Sequence, residues 1–148
     1  MGSTEKWKGF AALSPTIQST LKRLPELLST TDVRLVYLFG SLAKGKMGND
    51  VDLAILTKNC PPYSFRDELI AFLGTERLDI VDLNRASPAF CFEIIRSGQL
   101  LYAADEELQL QFELGVVRQY HDTAYLRQKQ EEGLRRRMTA WSSNTAVS

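Results

Sequence analysis

Two apolar, β-branched runs, Val33 to Phe39 and Val51 to Thr57, flank a short glycine-bearing loop. Two aspartates, Asp50 and Asp52, stand at the mouth of the second run. Runs of this length and composition predict buried strands. Alternate residues of a strand share a face, so Asp50 and Asp52 project together while Val51 and Leu53 point the other way. Two carboxylates about 4 Å apart repel by roughly 4 kcal/mol at an effective dielectric near 20. A fold keeps such a pair when a divalent cation lies between them or when one of them takes up a proton. Carboxylates together with substrate phosphates form the ligand set that Mg²⁺ prefers. A core-bound strand that opens on paired charge therefore constrains both the fold and the chemistry.

The remaining elements follow from punctuation and periodicity. Ser14 and Pro15 open a helix carrying Ile17, Leu21, Leu24 and Leu28 at helical spacing, and Pro25 kinks or restarts it. Ser29 to Asp32 is a polar break. Gly40-Ser41 turns the chain into a short helix, Leu42 to Lys46, followed by a Met47-Gly48-Asn49 loop. After Pro61-Pro62, residues Phe65, Leu69, Phe72 and Leu73 predict a helix ending near Gly74. Leu78 to Leu83 reads as a third strand. Pro88 opens a helix through Phe92 and Ile95 that stops at Gly98, and a long charge-rich helix runs from Asp105 to about Arg137, with Leu108, Phe112, Val116 and Tyr120 on one side. Residues 138–148 read as a frayed tail. The order helix, strand, strand, helix, strand, helices predicts an α/β (α+β) fold, a small mixed sheet flanked by helices. One domain over 1–148 is expected, with its core at about 14–103 and the long helix at about 105–137.

Composition excludes several classes. With 148 residues, 44% hydrophobic and 24% charged, the chain suits one globular domain. Lysine plus arginine equals aspartate plus glutamate at 18 each, so no overall field draws the chain to nucleic acid or membrane. Cys60 and Cys91 have neither metal-ligand nor disulfide-framework spacing. Met1 to Phe10 lacks the apolar run of a signal peptide, and no stretch approaches the roughly 20 residues of a membrane span. A soluble cytoplasmic protein is the expectation.

The loop before the acidic pair supplies the complementary half of a site. Gly40 allows close backbone approach, and Ser41 offers a hydroxyl and an amide where a short helix begins, which suits phosphate. Asp79, in "RLDIVDL", completes a metal cage or accepts a proton from an incoming hydroxyl if its strand neighbours the second one. Asp82 falls on the opposite face by alternation and is the lesser candidate. Lys44 and Lys46 are candidates for touching phosphate; solvated loop lysines are the plain alternative.

Together these stretches resemble the nucleotidyltransferase superfamily typified by DNA polymerase beta, and within it the minimal nucleotidyltransferases. The resemblance covers roughly Val33 to Tyr102. "LFGSLAKG" is similar to the family's Gly-Ser loop, with Gly40, Ser41, Ala43 and Gly45 in place, and "NDVDLAIL" to its acidic strand. "LDIVDLNRASP" resembles the segment bearing the third acid, Asp79, and "IIRSGQLLY" the closing helix and turn. The loop "LAKGKMGN" between Ser41 and Asp50 is shorter than the family's usual spacing.

The resemblance implies transfer of a nucleoside monophosphate from an NTP to a hydroxyl, with two Mg²⁺ ions held by Asp50, Asp52 and Asp79 and the triphosphate held by Gly40 and Ser41, with Lys44 as a further nucleotide contact. For minimal members it implies an antitoxin that moves AMP from ATP to a tyrosine of a cognate HEPN-domain ribonuclease toxin, forming a hetero-oligomer with it. The alternatives are an antitoxin acting by binding alone and an enzyme acting on a small-molecule hydroxyl. Direct nucleic-acid binding is not expected. Phe112, Val116, Tyr120 and Tyr125 either dock a partner or close the domain's own core, and Arg135-Arg136-Arg137 is either a contact to an acidic partner or solvated tail. His121 reads as a helix-surface residue.

Overall fold

The computed structural model describes residues 13–45, 48 and 50–147, with side chains described as far as 142. Met1 to Phe10, Lys46, Met47, Asn49 and Ser148 lie outside the described residues. Among the described residues, two short helices open the fold, α1 (Ile17–Leu21) and α2 (Leu24–Leu28). Pro25 restarts the helix as expected, within the first positions of α2. The first helix begins later than its Ser14-Pro15 signal, because the Ser14 hydroxyl accepts the Thr16 amide at 3.2 Å in a turn of its own. Strand β1 (Val33–Phe39), a 3₁₀ turn (Leu42–Lys44), β2 (Val51–Thr57), a second 3₁₀ turn (Pro62–Phe65) and α3 (Arg66–Leu73) follow. Then come β3 (Leu78–Asp82), α4 (Pro88–Ser97), β4 (Gln99–Ala103) and α5 (Glu106–Val147).

The four strands form one mixed sheet in the order β3-β2-β1-β4. β1 is antiparallel to both β2 and β4, whereas β2 and β3 run parallel and are joined across α3, as a parallel pair requires. One face carries Val36, Leu38, Val51, Leu53, Ile55, Leu78 and Ile80 and is covered by α1, α2 and α3. The other carries Leu35, Tyr37, Ala54 and Leu83 and is covered by α4 and the first half of α5. A register shift between Val33 and Leu35 moves Val33 to the same face as Val36 and Leu38.

β4 is absent from the sequence expectation, which took "GQLLY" as a closing turn. Its residues are half-buried or exposed, so the alternation that marks a strand is weak. The buried β1 nonetheless needs partners for its outer N–H and C=O groups, and β4 supplies them, pairing Val36 with Tyr102 and Leu38 with Gln99. Gly98 makes this tight return possible: a β-carbon there would sit 3.0 Å from the Leu38 carbonyl oxygen.

The long helix also corrects the expectation. It continues through Val147, past Arg137, because residues 138–147 contain neither glycine nor proline to end it. Val116 is buried, Phe112 packs beside it, and Tyr120 stacks on Phe92 with ring centroids 4.0 Å apart. These three close the domain's own core. Tyr125 and the stretch of Leu134, Met138 and Trp141 are exposed. Tyr37 fastens the helix from below: 2% exposed, its hydroxyl donates to Glu113 at 2.6 Å. No helix of the described residues is long and apolar enough to cross a membrane.

Candidate active site

The site grows from the end of β1. Phe39 is the last strand residue, and Gly40 turns with φ +78°. A β-carbon on Gly40 would collide with Asp52 Oδ2, so the bend is drawn directly against that carboxylate. Ser41 then leads the Leu42–Lys44 turn, which Gly45 closes at φ +76° with its N–H on the Leu42 carbonyl at 3.1 Å. The helix expected to reach Lys46 is thus a single 3₁₀ turn ended by a left-handed glycine. Two contacts fix its position: Leu42 is buried, and Gln18 Nε2 donates to its carbonyl at 3.0 Å.

The acids are set by strand register. The Val51 amide donates to the Arg77 carbonyl at 2.8 Å and starts the parallel pair. Asp52 then lies opposite Asp79 on β3 and opposite Phe39 on β1. Asp50 precedes the strand by one residue and falls on the same side. Ligand-capable oxygens of Asp50, Asp52 and Asp79 all lie within 4.8 Å of one another, and each residue is half-buried. Val51, Leu53 and Leu78 point into the opposite core and are buried, so the acids stand on a packed base.

Asp82, the lesser candidate, is elsewhere. Its Oδ1 accepts the Asn84 amide at 2.9 Å in the turn after β3. A larger cavity, about 370 Å³, lies at that end of the sheet and is lined by Lys58, Asn59, Tyr63, Asn84 and Arg85 among others. It is well removed from the three acids. Asn59 and Cys60, which line it, are held by Asp32, whose carboxylate accepts the Asn59 amide at 2.6 Å and the Cys60 amide at 3.0 Å. These two amides hold the Asp32 carboxyl down at about 2.

Sequence reasoning missed the aromatic side of the site. Phe39, Gly40, Lys44, Phe90, Glu93, Ile94 and Ser97 enclose a cavity of about 210 Å³. The Phe39 and Phe90 rings meet edge to face at 5.8 Å. The available signal was the helix start itself: Ser87 caps α4 by accepting the Phe90 amide at 3.2 Å, which fixes Phe90 on the first turn.

A model of the polymerase beta nucleotidyltransferase family matches residues 22–107, more than half of the chain and the whole of this site. The chain belongs to this family. It is 29% identical to the protein adenylyltransferase MntA of Shewanella oneidensis over 84 residues, spanning 53% of this chain and 60% of MntA. The match thus covers less than two thirds of that relative's length. Among solved structures, a tri-AMPylated S. oneidensis HEPN toxin in complex with its MNT antitoxin matches at TM-score 0.60 with 22% identity, covering 80% of this chain and 98% of the matched one. A toxin–antitoxin crystal structure with AMP-PNP matches at TM-score 0.61 with 23% identity, covering 79% and 97%. At those identities the structural matches speak for the fold. The mixed sheet with flanking helices is the family's nucleotidyltransferase fold.

Proposed function

We propose that the chain is a Mg²⁺-dependent protein adenylyltransferase that moves AMP from ATP to a tyrosine of a HEPN-domain toxin and thereby silences it. The observation that carries this reading is the convergence of Asp50, Asp52 and Asp79 within 4.8 Å beside the Gly40 bend. The similarity to MntA, and the likeness of the fold to chains in toxin–antitoxin complexes, supply the acceptor class.

The residues fit the ion. Three carboxylates give an all-oxygen donor set, and the missing β-carbon of Gly40 leaves its backbone in contact distance of the group that Asp52 presents. In this reading Asp50, Asp52 and Asp79 together would hold two Mg²⁺ ions, with Asp79 also facing the acceptor. Bound magnesium neutralises charge on the transferring and leaving phosphates. The chain's own residues do the rest. Gly40 and Ser41 turn toward the triphosphate, and Lys44, on the wall of the adjoining cavity, adds a positive charge to that side. Asp79 takes the proton as the tyrosine oxygen attacks the α-phosphorus. The new O–P bond forms, the bond from the α-phosphorus to the bridging oxygen breaks, and pyrophosphate leaves with the released electron pair. Because the acids stand on buried Val51, Leu53 and Leu78, their spacing is set before substrate arrives.

The test is direct. The purified chain is incubated with Mg²⁺, ATP and the product of the adjacent open reading frame, and the intact mass of that product is measured. Increments of one or more AMP units are expected with the native chain and are lost in Asp50→Ala/Asp52→Ala. If that double variant still neutralises the toxin at full strength, the chain acts by binding alone and transfer is not its role.

A further inference from the structure

Of the three acids, Asp79 stands on the least supported backbone. Asp52 lies on β2, which is bonded to β1 on one side and β3 on the other, and Asp50 directly precedes that strand. β3 is the outer strand of the sheet, with β2 on one side of it. In a parallel pair the backbone groups of successive residues face opposite ways. The Arg77 carbonyl accepts the Val51 amide at 2.8 Å, and the Leu83 amide donates to the Ile55 carbonyl at 3.0 Å. Odd-numbered positions of β3 therefore bond to β2, and Leu78, Ile80 and Asp82 turn their backbone groups outward. The peptide entering Asp79 thus presents its carbonyl, that of Leu78, at the open edge.

Arg66 occupies that edge. It is half-buried and is the first residue of α3. Its Nη1 donates to the Leu78 carbonyl at 2.6 Å, and its Nη2 donates to the Glu76 carbonyl at 3.5 Å. A cation in the first turn of a helix opposes the helix dipole, at a cost of about 0.3–1 kcal/mol. Asp67 and Glu68, which follow it, are the residue types such a turn favours, so helix formation does not explain the arginine. A hydrogen bond from a charged donor contributes about 1.5–3 kcal/mol, which outweighs the dipole term. Leu78 is itself buried. The peptide leading into Asp79 is therefore pinned by a packed side chain on one face and by a guanidinium at the edge, where a further strand would otherwise bond.

We infer that Arg66 is a positioning residue for Asp79: by holding the Leu78 carbonyl it aims the Asp79 carboxylate at the ions that the three acids share. Magnesium demands a nearly regular octahedron of oxygens, so an acid on a loosely held edge strand would serve it poorly. The inference rests on the metal-dependent transfer reading above and adds to it a residue outside the acidic cluster. Arg66 acts through the backbone of a ligand, so its loss changes ion binding and the chemical step while leaving docking of the acceptor alone.

The experiment measures binding of Mn²⁺, a paramagnetic ion that shares magnesium's preference for oxygen ligands, to the full chain by EPR without nucleotide or acceptor. The proteins are the native chain, Arg66→Met, Arg66→Lys, Asp79→Asn, Arg66→Met/Asp79→Asn and Asn84→Ala. Asn84→Ala is the matched control, because Asn84 Nδ2 donates to the Thr57 carbonyl at 3.0 Å at the far end of the same strand pair. Thermal melts in chelator read the stability cost of each change. Arg66→Met is expected to weaken Mn²⁺ binding by about tenfold to a hundredfold. Arg66→Lys, which keeps one charged donor on a shorter reach, should lose about threefold to tenfold, and Asn84→Ala should lose stability with native affinity. On the Asp79→Asn background Arg66→Met should weaken the ion no further. In transfer assays of Arg66→Met, kcat should fall while the acceptor KM stays within about twofold of native. Native Mn²⁺ affinity in Arg66→Met, or in Arg66→Lys should the methionine variant not fold, makes Arg66 a structural clamp only. So does a loss that is equally large on the Asp79→Asn background. Either result overturns the inference and leaves transfer standing. Absence of Mn²⁺ binding by the native chain overturns the metal reading and this inference together.

Discussion

Gly40 and Asp52 approach so closely that no β-carbon fits between them: one placed on Gly40 strikes Asp52 Oδ2. The bend after β1 and the acid on β2 are therefore a single unit, held together by the Phe39–Asp52 register one residue earlier.

Gly40→Ala tests that unit. The added methyl must displace the Asp52 carboxylate, and the positive φ adds backbone strain of about 1–2 kcal/mol for a residue with a β-carbon. Transfer is expected to fall at least about a hundredfold, equivalent to about 2.7 kcal/mol of transition-state stabilisation. The melting temperature should drop by only a few degrees. Gly45→Ala is the matched control. It carries the same kind of positive φ, but nothing lies within 4 Å of its β-carbon position, so it should share the small stability loss and keep most of the activity.

Magnesium should be visible without any turnover. A ligand that binds only the folded state raises its stability by RT ln(1 + [L]/Kd), about 1.4 kcal/mol at ten times Kd. In a domain of this size that is a shift of several degrees. Thermal melts of the native chain with and without Mg²⁺ should show it, and chelator should reverse it. Asp52→Asn and Asp79→Asn each remove a carboxylate from the cluster and should lose most of the shift. An equal shift in all three proteins would place the ion elsewhere.

Tyr37 links the site-bearing sheet to α5. Its phenol is buried and donates to Glu113 at 2.6 Å, and Glu113 also accepts from Gln109 Nε2 at 3.3 Å. Burial first, and the neighbouring carboxylate second, push the Tyr37 hydroxyl far above its ordinary pKa, so it remains a donor throughout the accessible pH range. Tyr37→Phe keeps the ring and removes the donor to a charged acceptor, which should cost about 1.5–3 kcal/mol in chemical denaturation. Glu113→Gln, which retains an acceptor, should cost less.

The sequence carried the central strands and the three acids because their causes are local: two β-branched runs, a Gly-Ser bend and an alternating D-x-D. What escaped it depends on tertiary partners. β4 exists because the outer edge of β1 must be paired, a requirement that Gln99–Ala103 does not advertise in its own pattern. The Phe39–Phe90 cavity arises from the capped first turn of α4 meeting the end of β1 across fifty intervening positions. The expected end of helix α5 near Arg137 follows from the modest helix propensity of the residues after it, Ser142, Ser143 and Asn144 among them, yet 138–147 holds no glycine or proline to stop it. For β4 and the Phe39–Phe90 cavity the missing information was the identity of the neighbour.

Asp32 should set the acid end of the stability curve. It lies between α2 and β1 and clamps the Asn59–Cys60 loop through two backbone amides, which lower its carboxyl to about 2. A carboxylate near 4 in the unfolded chain and near 2 in the folded one stabilises the fold fully above about pH 4. As pH falls through that window the unfolded state takes up its proton first, and the contribution disappears by the folded value. Asp32→Asn never has this contribution. Its melting temperature should lie below that of the native chain at pH 7, and the gap should narrow progressively in melts taken below about pH 4. A gap that stays constant from pH 7 down to pH 3 would mean that packing of the residue, and not its charge, holds the loop.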